Sequence, residues 1–243
     1  MAAIVLRVPR VPLDHPTLAR PHRVYVALTN RCNRACPWCS TFSSPAGTTW
    51  LDVAGFLASL PPSGVFQLQL EGGEPTLHPE LFGFASLARG TGRCERVVLS
   101  TNGVLLPRER DALDLWLARL GAPLTVKLSV NHHLLERDPG LLDLCRLLGK
   151  RLDALGGKSL LVVNVRLRRG YEEDDRRVRD AVEEAGLLAD ANVFFLQRYG
   201  LAGGEVGWQP PFLAGDRFTL VNPDGRSFGP DLLARSEAMR TMP

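Results

Sequence analysis

The sequence predicts an α/β protein built on a parallel β-sheet. Short runs of apolar and β-branched residues alternate six times with longer segments that carry apolar residues at helical spacing. Three of these runs, VVLS, VKLSV and LLVVNV, are almost continuously apolar, as expected of strands covered on both faces. Strands that alternate with helices of this length form βαβ units. Periodicity alone leaves both a doubly wound sheet and an incomplete barrel open.

The predicted strands occupy residues 24–29, 66–70, 96–100, 125–130, 160–167 and 193–197. Glycine, proline, asparagine or charged residues, which commonly end strands, bound each of them. The segments predicted as helices mostly finish at glycine, the common left-handed stop: WLDVAGFLASL, PELFGFASLARG, RERDALDLWLARLG, GLLDLCRLLGKRLDALGG and EDDRRVRDAVEEAG. The charged run YEEDDRRVRD is interpreted as a solvent-exposed helix face.

Residues 201–243 are predicted to form an extension rather than further β/α units. Proline and glycine are frequent there, RFTLVNPDGRSFG has the pattern of a hairpin, and DLLARSEAMR has the pattern of a short helix. We therefore divide the chain into an N-terminal segment (1–22), a core domain (23–200) and a C-terminal extension (201–243). The extension is expected to cap the open end of the core.

Composition excludes several classes of protein. The chain has 243 residues, of which 45% are hydrophobic and 23% are charged, so one domain with a substantial core needs no disulfides. A formal net charge of +3 is too small to indicate a nucleic-acid partner. No apolar run reaches the ~18–20 residues of a membrane span, and the first residues lack the pattern of a secretory signal. We expect a cytoplasmic protein with no membrane partner.

Three of the five cysteines, Cys32, Cys36 and Cys39, lie in one loop directly after the first predicted strand. Clustered thiols in a reducing compartment indicate metal ligands rather than disulfides, and ligands of α/β proteins bind at the carboxyl ends of strands. An ordinary four-iron cluster or zinc site takes four ligands, and this loop supplies three. Three interpretations are open: zinc with a distant fourth ligand, unligated buried cysteines, and a four-iron cluster with one open iron.

The spacing C-x3-C-x2-C in CNRACPWC, with Trp38 before the third cysteine, resembles the signature of the radical S-adenosylmethionine superfamily. The resemblance covers about residues 23–200 and implies an incomplete (β/α)6 TIM-like barrel. It also implies one oxygen-sensitive 4Fe-4S cluster on the three cysteines, with S-adenosylmethionine bound to the open iron. Its reductive cleavage would give a 5′-deoxyadenosyl radical that abstracts hydrogen from a substrate. An electron donor such as flavodoxin or ferredoxin is an implied partner, and Cys94 and Cys145 are interpreted as structural.

Other segments at the predicted strand ends are similar to segments of that superfamily. In EGGEP, Gly72 and Gly73 would approach the methionine part of the cofactor, and Glu74 would receive its ammonium group. The resemblance implies further cofactor contacts from Trp38 in the cysteine loop and from the backbone around Leu196, beside the adenine. It also implies contacts from polar residues at or near strand ends: Ser100, Asn102, Ser129, Asn131 and Arg166. Each of these segments alone is equally compatible with an ordinary turn or a surface charge.

The sequence leaves the substrate open between a small metabolite and a peptide. His132 and His133, in NHH after the fourth strand, are candidates for proton transfer, with ordinary loop histidines as the alternative. Further candidates for substrate contact follow the sixth strand or lie in the extension: Arg198, Tyr199, Trp208, Gln209 and Phe212. An activase of a glycyl-radical enzyme, and a non-catalytic iron–sulfur or zinc protein, are the alternative functions.

Overall fold

The computed structural model describes residues 21–168, 170–196, 200–204 and 218–243. Seven strands form one sheet in the order β6-β5-β4-β3-β2-β1-β7, and every neighbouring pair is parallel. The strands are β1 (His22–Ala27), β2 (Phe66–Glu71), β3 (Cys94–Thr101), β4 (Leu124–Val130), β5 (Leu160–Leu167), β6 (Ala191–Phe195) and β7 (Phe218–Val221). The sheet curls into a half-barrel, which confirms the predicted incomplete TIM-like barrel.

Helices connect the strands on the convex side of the sheet, and one further helix follows β7. They are α1 (Val53–Ser59), α2 (Leu81–Gly90), α3 (Arg110–Leu120), α4 (His132–Arg137), α5 (Leu141–Leu155), α6 (Glu172–Glu184) and α7 (Leu232–Arg240). Six of these lie in the segments that the sequence predicts as helices. The exception is α4, which is short and is capped by the side chain of Asn131, an acceptor for the amide of Leu134 at 3.0 Å.

The prediction of six strands was incomplete, because the C-terminal extension supplies a seventh. β7 pairs in parallel with β1, with Arg23 opposite Phe218 and Val26 opposite Val221. The predicted hairpin also exists: the amide of Phe228 donates to the carbonyl of Leu220 at 2.9 Å as the chain turns back. Its first strand covers the edge of β1, which would otherwise expose unpaired backbone groups.

The two faces of the curled sheet differ in polarity. One face carries fully buried apolar side chains such as Leu70, Leu99 and Val126, which belong to the hydrophobic core. The alternate residues on the concave face are largely polar and include Gln69 and Lys127, whose side chains are hydrogen-bonded at 2.8 Å. A closed barrel is filled with branched apolar side chains, so this polar face is suited to a ligand instead. In the part of the chain that the structure describes, no helix has both the length and the apolar character of a membrane span.

Candidate functional site

The three-cysteine loop follows β1 at the carboxyl ends of the strands. Backbone hydrogen bonds shape it: the amide of Cys32 donates to Ser44 O at 2.9 Å, and that of Cys39 donates to Cys36 O at 3.1 Å. All three thiols are free. Burial raises the pKa of Cys32 to about 12 and that of Cys36 to about 11, so a metal must displace their protons on binding.

A cavity of about 220 Å³ opens beside this loop. The structure brings to its walls the three cysteines and most of the predicted cofactor residues: Trp38, Gly72, Gly73, Ser100, Asn102, Ser129, Asn131 and Arg166. They arrive from the cysteine loop and from the carboxyl ends of four neighbouring strands, β2 to β5. Contact between these residues and a cofactor stays a prediction, but their convergence is a property of the fold.

The EGGEP turn after β2 packs directly on the cysteine loop. The amide of Gly73 donates to Thr29 O at 2.7 Å. A Cβ on Gly72, whose φ is +130°, would lie 2.6 Å from Thr29 O, and one on Gly73 would lie 2.1 Å from Arg31 O. Side chains are therefore excluded at both positions by backbone-to-backbone contact. The glycines line the cavity as well, so their small size serves the packing of the loop before it serves any ligand.

Glu74 does not line the cavity, and its contact with the ammonium group of a cofactor stays a prediction. Its side chain is fully buried. One carboxylate oxygen accepts from the amide and hydroxyl of Thr76, at 3.1 and 2.6 Å, and from the hydroxyl of Thr101 at 2.7 Å. The other accepts from the amide of Asn102 at 2.8 Å. Burial raises the pKa of Glu74, although these four donors act in the opposite direction.

The two predicted asparagines also hold loops in place. The side-chain amide of Asn102 donates to Asn33 Oδ1 at 2.7 Å and lies 3.8 Å from the sulfur of Cys32. The Asn131 side chain caps α4 through the amide of Leu134. Both residues line the cavity, so each joins a wall of the site to the backbone that follows it.

Within the described ranges, three arginines line the cavity, and each has a buried nitrogen with no hydrogen-bond partner there: Arg34 Nε, Arg166 Nε and Arg235 Nη2. A buried donor on a cation is costly to leave unpaired, so these atoms indicate anionic ligands. Arg166 and Arg34 also lie close enough to the thiol of Cys36 to oppose the rise of its pKa. Sequence reasoning found Arg166 but missed Arg34 and Arg235, because an arginine in a loop or helix has no distinguishing local pattern.

The part of His132 and His133 in proton transfer stays a prediction, and both side chains have other neighbours in the structure. His132 Nε2 lies 3.1 Å from Glu136 Oε1 and 3.8 Å from Asp174 Oδ2. His133 packs edge-on against Trp38, with ring centroids 5.8 Å apart, and burial lowers its pKa. Neither histidine lines the cavity.

The last predicted contacts lie at or beyond the end of β6. The amide of Leu196 donates to Leu167 O at 2.9 Å and so continues the pairing of β6 with β5, and Leu196 does not line the cavity. Its place beside the adenine stays a prediction. The remaining candidates lie outside the described residues: Arg198, Tyr199, Trp208, Gln209 and Phe212.

Arg168, which the sequence did not single out, packs against the ring of Trp38. Its guanidinium carbon lies 4.7 Å from the centroid of the Trp38 ring and 4.2 Å from that of Tyr171. Its amide and Nε donate to the carboxylate of Asp175, and its Nη2 donates to Asp174 at 3.4 Å. The charged run of α6 is thus not only a solvated face, because Asp175 is buried against this arginine.

The C-terminal helix α7 forms one wall of the cavity. Arg235 is 3% exposed and donates to Glu71 Oε1 at 2.6 Å and to Asn222 Oδ1 at 3.1 Å. The hydroxyl of Ser236 donates to Ser40 O at 2.7 Å, which ties α7 to the cysteine loop. Leu232 also lines the cavity.

Comparisons with known proteins agree with this site. No protein-family model matches the chain. A GTP 3',8-cyclase of Chlorobaculum tepidum is 39% identical over 93 residues, which are 37% of this chain and 28% of the relative. A PqqA peptide cyclase of Ruegeria pomeroyi is 34% identical over 105 residues, which are 40% of this chain and 27% of the relative. The chain therefore matches little more than a quarter of the length of these relatives.

Solved structures share the fold over more of the chain. Streptococcus suis SuiB bound to its precursor peptide SuiA has a TM-score of 0.54 at 13% identity, covering 93% of this chain and 62% of SuiB. anSMEcpe with bound AdoMet and Cp18Cys peptide has a TM-score of 0.53 at 14% identity, covering 78% of this chain and 55% of that protein. The three-cysteine loop, the half-barrel and these relatives agree with the resemblance of the chain to the radical S-adenosylmethionine superfamily.

Proposed function

We propose that this chain is a radical S-adenosylmethionine enzyme that abstracts hydrogen from a peptide substrate. The observation that carries the proposal is the convergence of Cys32, Cys36 and Cys39, the glycine turn and Arg166 on one cavity. When bound, a 4Fe-4S cluster and S-adenosylmethionine would supply a 5′-deoxyadenosyl radical for this reaction. The donor set fits these groups, since three thiols leave one iron of a four-iron cluster free.

Different residues of the cavity would bind different parts of the cluster and of S-adenosylmethionine. The three cysteines would hold the cluster, and Arg166 would pair with the carboxylate of S-adenosylmethionine through its unpartnered Nε. The backbone of Gly72 and Gly73 would meet the methionine part. Four polar side chains would meet the ribose or the methionine carboxylate: Ser100, Asn102, Ser129 and Asn131. Trp38 would cover the cluster loop. Glu74 acts beneath them as a positioning residue.

A mononuclear zinc site receives less support. Zinc binds thiolates at ~2.3 Å, so its ligands must lie close together. Within the described residues, no group of three or more His, Cys, Asp or Glu side chains is spaced to hold a single metal ion.

Two lines of support favour a peptide as the substrate. One sequence relative is named a peptide cyclase, and two structures of the same fold contain peptides. The half-barrel also lacks pairing between β6 and β7 within the described residues, which leaves a lateral opening for an extended chain. Similarity to a GTP 3',8-cyclase supports a nucleotide as the second candidate. We keep the expected cytoplasmic location and the electron donor, flavodoxin or ferredoxin, as parts of the proposal.

Anaerobic reconstitution tests the cluster and the cleavage together. The unchanged protein should bind about four irons per chain and release 5′-deoxyadenosine from S-adenosylmethionine with a strong reductant. C36A should lose both properties. C94A is the matched control, because Cys94 lies at the opposite end of its strand and its replacement should change neither. Iron binding without cleavage would instead favour the non-catalytic alternative.

The substrate class is tested by the rate of 5′-deoxyadenosine formation. Short peptides encoded beside the gene should accelerate it and gain a crosslink or lose hydrogen by mass spectrometry. GTP should not accelerate it. Acceleration by GTP alone would contradict the peptide proposal while leaving the superfamily assignment intact.

A further inference from the structure

The wall of the cavity formed by β1, β7 and α7 contains a cation that the proposed cofactor binding does not use. Arg235 lines the cavity and is 3% exposed, yet its Nη2 has no hydrogen-bond partner among the residues that the structure describes. Its other two nitrogens are fixed by Glu71 and Asn222 at 2.6 and 3.1 Å. The guanidinium is therefore held rigidly by two partners while one of its donor groups is unsatisfied.

Arg235 lies near the edge of the sheet that is farther from Ser100, Ser129 and Arg166, three of the residues assigned to the cofactor. Ser100, Ser129 and Arg166 come from β3, β4 and β5, whereas α7 follows β7 at the other edge of the sheet. Tyr25, Leu220 and Leu232 complete this second wall. A ligand there would sit beside the cofactor and would not replace it.

The charges on this wall select the ligand. A buried guanidinium donor binds an anionic oxygen, and its planar geometry suits a carboxylate or a phosphate. The carboxylate of Glu71 also lines the cavity and is paired with the same arginine. Glu71 repels any anion, but it repels a polyphosphate more strongly than a singly charged carboxylate, which also needs fewer donors than a polyphosphate.

We propose that Arg235 binds a carboxylate group of the substrate at the wall formed by β1, β7 and α7. The proposal rests on the proposed function only in naming the substrate as the ligand. Arg235 is then a specificity-determining residue, and Glu71 orients it. A peptide offers such a carboxylate at its C-terminus or on an acidic side chain.

The experiment is calorimetric titration of the reconstituted protein, with and without saturating S-adenosylmethionine. The probes are N-acetylglycine, its neutral amide, inorganic phosphate and GTP. N-acetylglycine should bind the unchanged protein, and R235Q should weaken its affinity at least about tenfold. R240Q is the matched control: Arg240 lies on the same helix but is exposed, so its replacement should leave the affinity unchanged.

Three results on affinity would overturn the proposal. They are no measurable binding of N-acetylglycine to the unchanged protein, equal affinity in R235Q, and tighter binding of phosphate or GTP. Displacement of S-adenosylmethionine by N-acetylglycine would also overturn it, since the site would then be that of Arg166. If S-adenosylmethionine itself fails to bind, the proposed function fails, and the titration without it still tests Arg235.

R235Q also removes contacts to Glu71 and Asn222, so its fold needs a separate check. If R235Q does not fold, R235K keeps the charge but shortens the side chain. The NMR signal of Arg235 Nε–H, assigned by its absence from R235K, should then shift on addition of N-acetylglycine to the unchanged protein. No shift of that signal would contradict the proposal independently of any variant.

Discussion

The carboxylate of Glu74 accepts a hydrogen bond from the backbone amide of Asn102 at 2.8 Å. This bond joins the turn after β2 to the turn after β3 at the carboxyl edge of the sheet. The hydroxyl of Thr101 donates to the other carboxylate oxygen at 2.7 Å and strengthens the same connection. Two walls of the cavity therefore depend on a side chain that does not itself reach the cavity.

E74Q tests this connection. Its side-chain NH2 group would face either the amide of Asn102 or the amide of Thr76 and two hydroxyls, so at least one buried backbone donor would lose its acceptor. We expect the free energy of unfolding to fall by about 1–3 kcal/mol in urea denaturation. E80Q is the control, because Glu80 is exposed, and it should unfold like the unchanged protein. An E74Q protein of unchanged stability would show that Glu74 is not a structural tie.

G73A tests the contact between the EGGEP turn and the cysteine loop. A methyl group at position 73 would lie 2.1 Å from Arg31 O, and the backbone has to move to admit it. We expect a loss of at least about 3 kcal/mol in the free energy of unfolding, at the upper end of overpacking effects. Urea denaturation of the metal-free protein measures this without any cofactor.

G90A is the matched control for that substitution. Gly90 ends α2, and a Cβ there meets no atom within 4 Å. Alanine should be neutral or slightly stabilising at this helical position. If G73A were as stable as G90A, the glycine would be required only for a ligand.

R168A tests the support behind Trp38. Arg168 is 7% exposed and paired with the buried carboxylate of Asp175, so its removal leaves that charge without its cation. We expect a loss of about 3 kcal/mol in stability. The reconstituted variant should also release iron to a chelator faster than the unchanged protein, because Trp38 loses its stacked partner.

R177A is the control for the charged helix. Arg177 forms an exposed pair with Glu173 on the same helix, and such pairs contribute less than about 0.5 kcal/mol. It should match the unchanged protein in both measurements. Equal iron release by R168A and R177A would exclude a role for Arg168 in holding the cysteine loop.

The sequence predicted those parts of the site that follow from local pattern. The strand-end segments of the resemblance included Ser100 and Ser129, which both line the cavity, and the spacing of the cysteines identified the loop. Contacts between residues that lie far apart in the sequence could not be predicted from local pattern. Nothing near Arg235 in the sequence indicates that it meets Glu71, 164 residues away, on the wall of the cavity.

The structural contacts of Glu74 could not be predicted from local pattern either. A carboxylate beside a glycine turn looks like a ligand for an ammonium group, and only its four partners in the fold reveal its structural role. The seventh strand was missed for a related reason, because pairing with β1 depends on a neighbour almost 200 residues earlier in the chain.

Lys127 gives a prediction about pH. Its ammonium group lies on the concave face of β4 and donates to Gln69 Oε1 at 2.8 Å, and burial lowers its pKa from 10.5 to about 8. Between these two values the unfolded chain holds a proton that the folded chain has released. The stability of the folded state must therefore rise with pH across this window. Below pH 8 both states are protonated, and this contribution is constant.

K127M removes the group and with it the pH dependence. The difference in unfolding free energy between the unchanged protein and K127M should shift in favour of the unchanged protein by on the order of 2 kcal/mol between pH 7.5 and 10. Urea denaturation at several pH values measures it, with K150M, which alters an exposed lysine on α5, as the control. The K150M curve should run parallel to that of the unchanged protein. Parallel curves for K127M as well would mean that Lys127 stays charged inside the half-barrel, because a bound anion or water offsets its burial.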